Sequence, residues 1–167
     1  MRVAITGTPG TGKTTVADRL DTDLTVIHLN DVIRTEDLVT GTDPDRDSLV
    51  ADLDAVRAWF GDRDDVVVES HLAHYLDVDK VVVLRCAPTE LESRLADRDV
   101  DHESIEENVE SERLDLVLAE AVDRHGEDRI YEIDTTGRDP TRVADDVAAV
   151  IRGDRDPCVG IVSFLES

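Results

Sequence analysis

The run Gly7-Thr8-Pro9-Gly10-Thr11-Gly12-Lys13-Thr14 carries glycines, a lysine and a hydroxyl residue at the spacing of a loop that binds phosphate. Glycines let the backbone bend so that successive N–H groups point into one concavity, where phosphate oxygens meet no side chain. The helix that follows turns its positive end toward the same place. Lys13 can then reach the β- and γ-phosphates of ATP or GTP, and Thr14 can ligate Mg2+. A chance turn with these four fixed residues arises in on the order of one chain in a hundred. Lys13 is also the only lysine before Lys80, and it falls at the one position whose chemistry needs it.

Other residues could complete phosphate chemistry. Glu69 ends a valine run, and an acid at the end of a strand beside the loop positions Mg2+ or its waters. Its plain alternative is a surface acid at a strand end. His71, two residues on, falls on the same side if the strand persists; the alternative is packing at the core edge. Arg94 and Arg98 lie four apart on one helix face, and paired guanidiniums suit a transferring phosphoryl group. Pairing with Glu90 and Asp97 is the competing reading. Arg34 precedes a polar loop where a second phosphate could be met, or it pairs with Asp31, Glu36 or Asp37. Arg138 follows the last strand, on the side where ligands bind in such sheets.

These residues need a scaffold, and the hydrophobic pattern alternates strand and helix as in a parallel α/β sheet. Strands are expected at 3–6, 25–29, 66–68, 81–84 and 130–133. The valine-rich runs are continuous, as in strands covered on both faces. Helices are expected at 14–20, near 31–38, from a cap at Ser48 through Phe60, at 88–98, at 104–125 ending before Gly126, and at 140–152. Residues 40–47 read as a polar loop. The apolar segment 159–165 has no evident partner. With no repeat or low-complexity tract, residues 1–167 read as one domain.

Composition adds context. The 40 Asp and Glu residues against 18 Lys and Arg give a net charge of −22, and 27 of the acids are Asp. The acids are interspersed with apolar positions, which excludes a disordered acidic tail. An acidic patch for a basic partner is one reading. Adaptation to a very salty cytoplasm, where self-repulsion is screened, is the favoured one. Cys86 and Cys158 form no disulfide framework or metal spacing. No apolar run reaches a membrane span and the start lacks a signal peptide, so the expected location is the cytoplasm, with no membrane partner.

The segments 5–15, 29–36, 67–71, 83–98 and the helix bearing Asn108, Glu112, Glu120 and Ala121 resemble the adenylate kinase isoenzyme 6 family over roughly residues 1–125. The resemblance implies a P-loop fold of three α/β/α layers, with five parallel strands in the order 2-3-1-4-5. It implies a nucleoside-monophosphate region near 28–51, with Asp31 and Arg34, and a short lid near 97–107. It assigns ATP to Gly10, Gly12, Lys13, Thr14, Thr15 and Arg98. Lys13, Arg98 and His71 become the catalytic candidates, and Thr14 and Glu69 the Mg2+ ligands. It further implies transfer of phosphate from ATP to AMP or other monophosphates, ATP hydrolysis, and a role in late small-subunit rRNA maturation with a ribosomal protein and pre-rRNA as partners. The family usually has Asp, an aromatic residue and His where this chain has Glu69-Ser70-His71. A ribosome-assembly NTPase with little kinase turnover and a small-metabolite kinase are the competing functions.

Overall fold

The computed structural model describes residues 1–43 and 48–165. In chain order the elements are β1 (Arg2–Thr6), α1 (Lys13–Asp18), β2 (Thr25–His28), α2 (Leu29–Thr35), β3 (Val39–Asp43), β4 (Ser48–Ala51), α3 (Leu53–Phe60) and β5 (Val66–Glu69). Then come β6 (Lys80–Arg85), α4 (Pro88–Asp97), α5 (His102–Arg113), α6 (Leu116–His125), β7 (Ile130–Asp134) and α7 (Pro140–Arg152).

Five of the strands form a parallel sheet in the order β2-β5-β1-β6-β7. Counted within that sheet alone, this is the expected 2-3-1-4-5. Side chains alternate across each strand, so one sheet feeds two cores. Ala4, Val66, Val68, Val81, Val83 and Ile130 pack with Leu29, Ile33, Val56, Phe60, Leu118 and Ala121 from α2, α3 and α6. Val3, Ile5, Val67, Val82, Leu84, Tyr131 and Ile133 face the other way, onto Val16, Ala17, Val143, Ala144, Val147 and Val150 of α1 and α7. Burial on both faces explains why the strands read as unbroken apolar runs. A third, smaller cluster of Leu91, Leu95, Ile105 and Val109 fastens α4 to α5.

Several boundaries differ from the sequence expectation, each for a physical reason. Residues expected as loop and helix start instead form a β3–β4 antiparallel pair, with Val39 opposite Ala51; the rest of the expected loop, 44–47, lies outside the described residues. Helix α3 therefore starts five residues after Ser48, capped by Asp52, whose carboxylate accepts from Ala55 N at 3.1 Å. Replacing Asp52 with Ala should cost ~1 kcal/mol, the usual worth of a cap, read as a shift of the urea midpoint. The helix expected over 104–125 is two helices. Between them Asp115 takes the left-handed conformation, φ 57°, and its carboxylate is held by the Arg85 guanidinium. Helix α2 begins at Leu29 and ends at Thr35, and α4 ends at Asp97 with Arg98 as its C-cap.

The segment after α7 also finds a place. Cys158 N donates to Ile130 O at 2.9 Å and Glu132 N to Cys158 O at 3.1 Å, so the chain adds one bridge to the β7 edge. Phe164 is buried against Arg85, with the guanidinium 5.2 Å from the ring centre. Cys86 and Cys158 are both free thiols. Among the described residues no helix is long and apolar enough to cross a membrane.

Candidate phosphate-binding site

Parallel strands end on one side of a sheet, and that is where ligands bind in open α/β folds. Here the register aligns Ile5 with Glu69 and Glu69 with His28. The loop leaving β1 therefore sits beside the end of β5, with the end of β2 one strand further along. Gly10 and Gly12 have φ of 94° and 97°, a region that side chains resist. A Cβ on Gly10 would also stand 2.8 Å from Leu91 and 2.9 Å from Leu95, so this turn of the loop needs glycine twice over. Thr11 N and Thr11 Oγ1 both donate to Thr8 O, at 3.2 and 2.8 Å, closing the loop on itself.

Lys13 is buried at 7% exposure and donates from Nζ to Gly7 O and Thr8 O, each at 3.0 Å. Burial lowers its pKa to about 8, against the pull of Glu69 and with the help of Arg98. The ammonium thus rests on the loop's own carbonyls, beside the concavity. Thr14 is exposed at the loop's end, and its hydroxyl donates to Glu69 Oε1 at 3.2 Å. Glu69 itself is 4% exposed, so it is no surface acid. Thr15 is half-buried one residue on, lining the same cavity as Gly10, Gly12 and Arg98.

Sequence reasoning missed the residue that orients Glu69. His28 donates from Nδ1 to Glu69 Oε1 at 2.7 Å, and its Nε2 lies 2.9 Å from Asp18 Oδ1. Burial opposes charge on His28, but the carboxylates Glu69 and Asp18 outweigh it and raise its pKa. His28 ends one strand and Glu69 another, so only their register brings them together.

His71 comes close enough to Lys13 to feel its charge. Burial first, then Lys13 and His74, push its pKa down to about 4. The imidazole is therefore neutral near pH 7, suited to accept or relay a hydrogen bond rather than to donate charge. Beneath it His74, 1% exposed, accepts at Nδ1 from Thr6 Oγ1 (2.7 Å) and donates at Nε2 to Glu120 (2.9 Å).

The arginines divide. Arg94 pairs with Glu90 at 2.7 Å, as its structural alternative required, yet it also donates to Thr135 O at 3.2 Å and reaches Gly10 O at 3.4 Å. Arg98 is exposed at the end of α4. With Gly10, Gly12, Thr15, Arg94, Thr135 and Arg138 it lines a cavity of about 330 Å3 beside the loop. Arg138 is anchored to Asp146 at 2.7 Å. Arg34 is exposed and pairs with Asp31 at 2.5 Å, one turn apart on α2. Asp31 lines a second cavity, about 680 Å3, together with His28, Val32, Trp59 and Arg63, and Arg34 does not line it. The structure therefore gathers Gly10, Gly12, Lys13, Thr14, Thr15, Glu69, His71 and Arg98 around the loop, and leaves Arg34 tied to Asp31 at the surface.

Thr14 and Glu69 bring together a hydroxyl and one carboxylate, with the His28 imidazole hydrogen-bonded to the same carboxylate oxygen. Mg2+ binds with one or two carboxylates while keeping waters and substrate phosphates as its other ligands, so this pair fits it. The described residues hold no cluster of three or more His, Cys, Asp or Glu side chains able to bind a metal by themselves.

Known proteins resemble this chain in sequence and in fold. A family described as "AAA domain" matches residues 3–115. A protein named "Putative adenylate kinase" from Natronomonas pharaonis is 57% identical over 166 residues, 99% of each chain. One of the same name from Halobacterium salinarum is 57% identical over 167 residues, again 99% of each chain. Among solved structures, a shikimate kinase from Bacteroides thetaiotaomicron superposes with a TM-score of 0.61 at 17% identity, over 92% of this chain and 98% of that one. The last shows a shared fold, whereas identity across the whole length shows kinship. The chain belongs to the family of these adenylate kinase relatives and is a P-loop protein with their kinase-like α/β fold.

Proposed function

We propose that the chain is an adenylate-type kinase that moves the γ-phosphate of ATP to AMP or other nucleoside monophosphates, using Mg2+, and that also hydrolyses ATP. The observation that carries this reading is the convergence of Lys13, Thr14 and the buried Glu69 at one end of the glycine loop. Phosphoryl transfer asks for positioned positive charge and little covalent chemistry from the protein. In this reading Gly10, Gly12, Lys13, Thr14 and Thr15 hold the ATP phosphates. Thr14 and Glu69 would hold Mg2+, and the ion would supply positive charge to the phosphate oxygens. Arg98 touches the group in transfer from the lid at 97–107, and neutral His71 accepts a hydrogen bond beside Lys13. The region 28–51 receives the acceptor, with Arg34 released from Asp31 to meet its phosphate. Residues 1–167 act as one domain in the cytoplasm.

A second reading is an assembly NTPase with little kinase turnover, acting in late small-subunit rRNA maturation with a ribosomal protein and pre-rRNA. The pairing of Arg34 with Asp31 favours it, since the guanidinium assigned to the acceptor's phosphate is then engaged by a carboxylate. One experiment separates the two: phosphate release in molar KCl with and without each monophosphate. Arg34→Ala should raise the KM for AMP and cut transfer about tenfold, the worth of one charge-assisted contact, while basal hydrolysis stays near wild type. Arg98→Ala should damage both activities. Equal loss of both on replacing Arg34 would remove the acceptor assignment and move the assembly reading ahead. The Arg34–Asp31 pair is exposed, so its own loss should barely change stability.

A further inference from the structure

A buried ionic cluster lies directly behind the phosphate loop, and the reaction proposed above makes no use of it. Arg85, 1% exposed at the end of β6, meets three carboxylates. Its Nε lies 3.2 Å from Glu112 Oε2, NH1 lies 2.7 Å from Glu132 Oε2, and NH2 holds Asp115. Glu112 and Glu132 are 2% and 0% exposed. One guanidinium cannot balance two buried carboxylates and a half-buried third, and the remaining lone pairs of the buried pair are answered by neutral donors. Cys86 N donates to Glu112 Oε2 at 2.8 Å, and Ile161 N and Val162 N donate to Glu132 Oε1 at 2.8 and 3.2 Å. The other oxygen of Glu112 accepts from Thr8 Oγ1 at 3.0 Å.

That last bond leads into the loop. Thr8 O receives Lys13 Nζ, Thr11 N and Thr11 Oγ1. The residue whose side chain is gripped by Glu112 is thus the one whose carbonyl gathers the loop and its lysine. A fully satisfied buried network rigidifies what it touches, and a stable core alone could be built more cheaply from apolar side chains. We propose that Glu112 is a positioning residue for the phosphate loop, acting through the Thr8 hydroxyl and itself held by Arg85 and Cys86 N, with Arg85 in turn anchored by Glu132 and packed on Phe164. This rests on the reading of residues 7–14 as the ATP site, and it concerns how that site keeps its shape, whichever acceptor is used.

The test compares Thr8→Val, Thr8→Ser, Glu112→Gln and the Thr8→Val/Glu112→Gln double variant in molar KCl. ATP hydrolysis, ATP affinity by calorimetry and melting temperature are measured for each. Thr8→Val keeps the shape and removes the donor, and should lower kcat for hydrolysis about tenfold, as expected for a hydrogen bond to a charged group. Thr8→Ser restores the hydroxyl and should recover to within about twofold. Glu112→Gln removes the charge but leaves an amide partner for the Thr8 hydroxyl, so it should lose less than Thr8→Val, and the double variant little more than Thr8→Val alone, because both act through one bond. A purely structural role would lower the melting temperature of Glu112→Gln and leave kcat of Thr8→Val unchanged; that result overturns the proposal, as does full multiplication of the two single losses in the double variant. Should Glu112→Gln fail to fold, the Val and Ser pair decides alone. Wild-type chain that binds ATP yet phosphorylates no monophosphate would sink the kinase reading and leave this comparison intact. Wild-type chain that binds no ATP overturns both.

Discussion

Replacing Lys13 with alanine should abolish phosphate transfer and ATP hydrolysis together, by at least ~100-fold in turnover, the usual worth of a preorganised charge at a reacting centre. The fold should survive. Lys13 is held by two loop carbonyls, and burial already pushes its ammonium down to about 8, so removing it relieves a desolvated charge. The loop keeps its own closure through Thr11 and its grip on Glu112 through Thr8. Turnover is measured by coupled phosphate release and integrity by circular dichroism. A folded variant that keeps more than about a tenth of wild-type turnover would exclude Lys13 from the reaction.

Lowering the salt should unfold the wild-type chain, or drop its melting temperature by on the order of 10 °C, and molar KCl should restore it. The Debye length is about 30 Å at 0.01 M and 3 Å at 1 M, so a net charge of −22 repels itself only in the dilute case. The cores have little in reserve against that repulsion. They are assembled mostly from Val, Ala, Ile and Leu, with Phe60 and Tyr131 as the buried aromatics of the two main clusters and Trp59 packed at the edge of one, and smaller side chains bury less apolar area each. Acid is used even where backbone geometry would favour glycine or asparagine: the four non-glycine residues with positive φ among those described are Asp37, Asp65, Asp99 and Asp115. A melting temperature unchanged between 0.01 M and 2 M KCl would falsify the reading of this charge as adaptation to salt.

Much of the scaffold and half of the site were legible in the residues themselves. The phosphate loop is written within eight consecutive positions, because glycine torsions and the contacts of Thr11 with Thr8 span only a few residues. The strands were visible for an equally local reason: coverage on both faces demands unbroken β-branched runs such as Val66 to Val68 and Val81 to Val83. Asp139 ahead of Pro140 and Gly153 after Arg152 bound α7 by local capping. Strand order and the lid came from family likeness rather than from periodicity.

What tertiary structure alone decided are the contacts between residues far apart in sequence. His28 meets Glu69 across 41 positions because two parallel strands end in register, and neither residue's neighbours announce it. Thr8 meets Glu112 across 104 positions. The regular apolar spacing from Ile105 through Leu118 reads as one helix, since periodicity records which face is buried and says nothing about a single left-handed residue. Asp115 takes that conformation beside the buried guanidinium of Arg85, which gathers Glu112 from α5, Asp115 from the turn after it and Glu132 from β7. The segment 159–165 found its partners in the same way: Ile161 N, Val162 N and the Phe164 ring meet Glu132 and Arg85 on the sheet, and Val159 packs on the cluster that holds Leu118 and Ile130. Local bonds and single-face burial are encoded in neighbouring residues; a buried charge is stable only where distant chain segments supply all its partners at once.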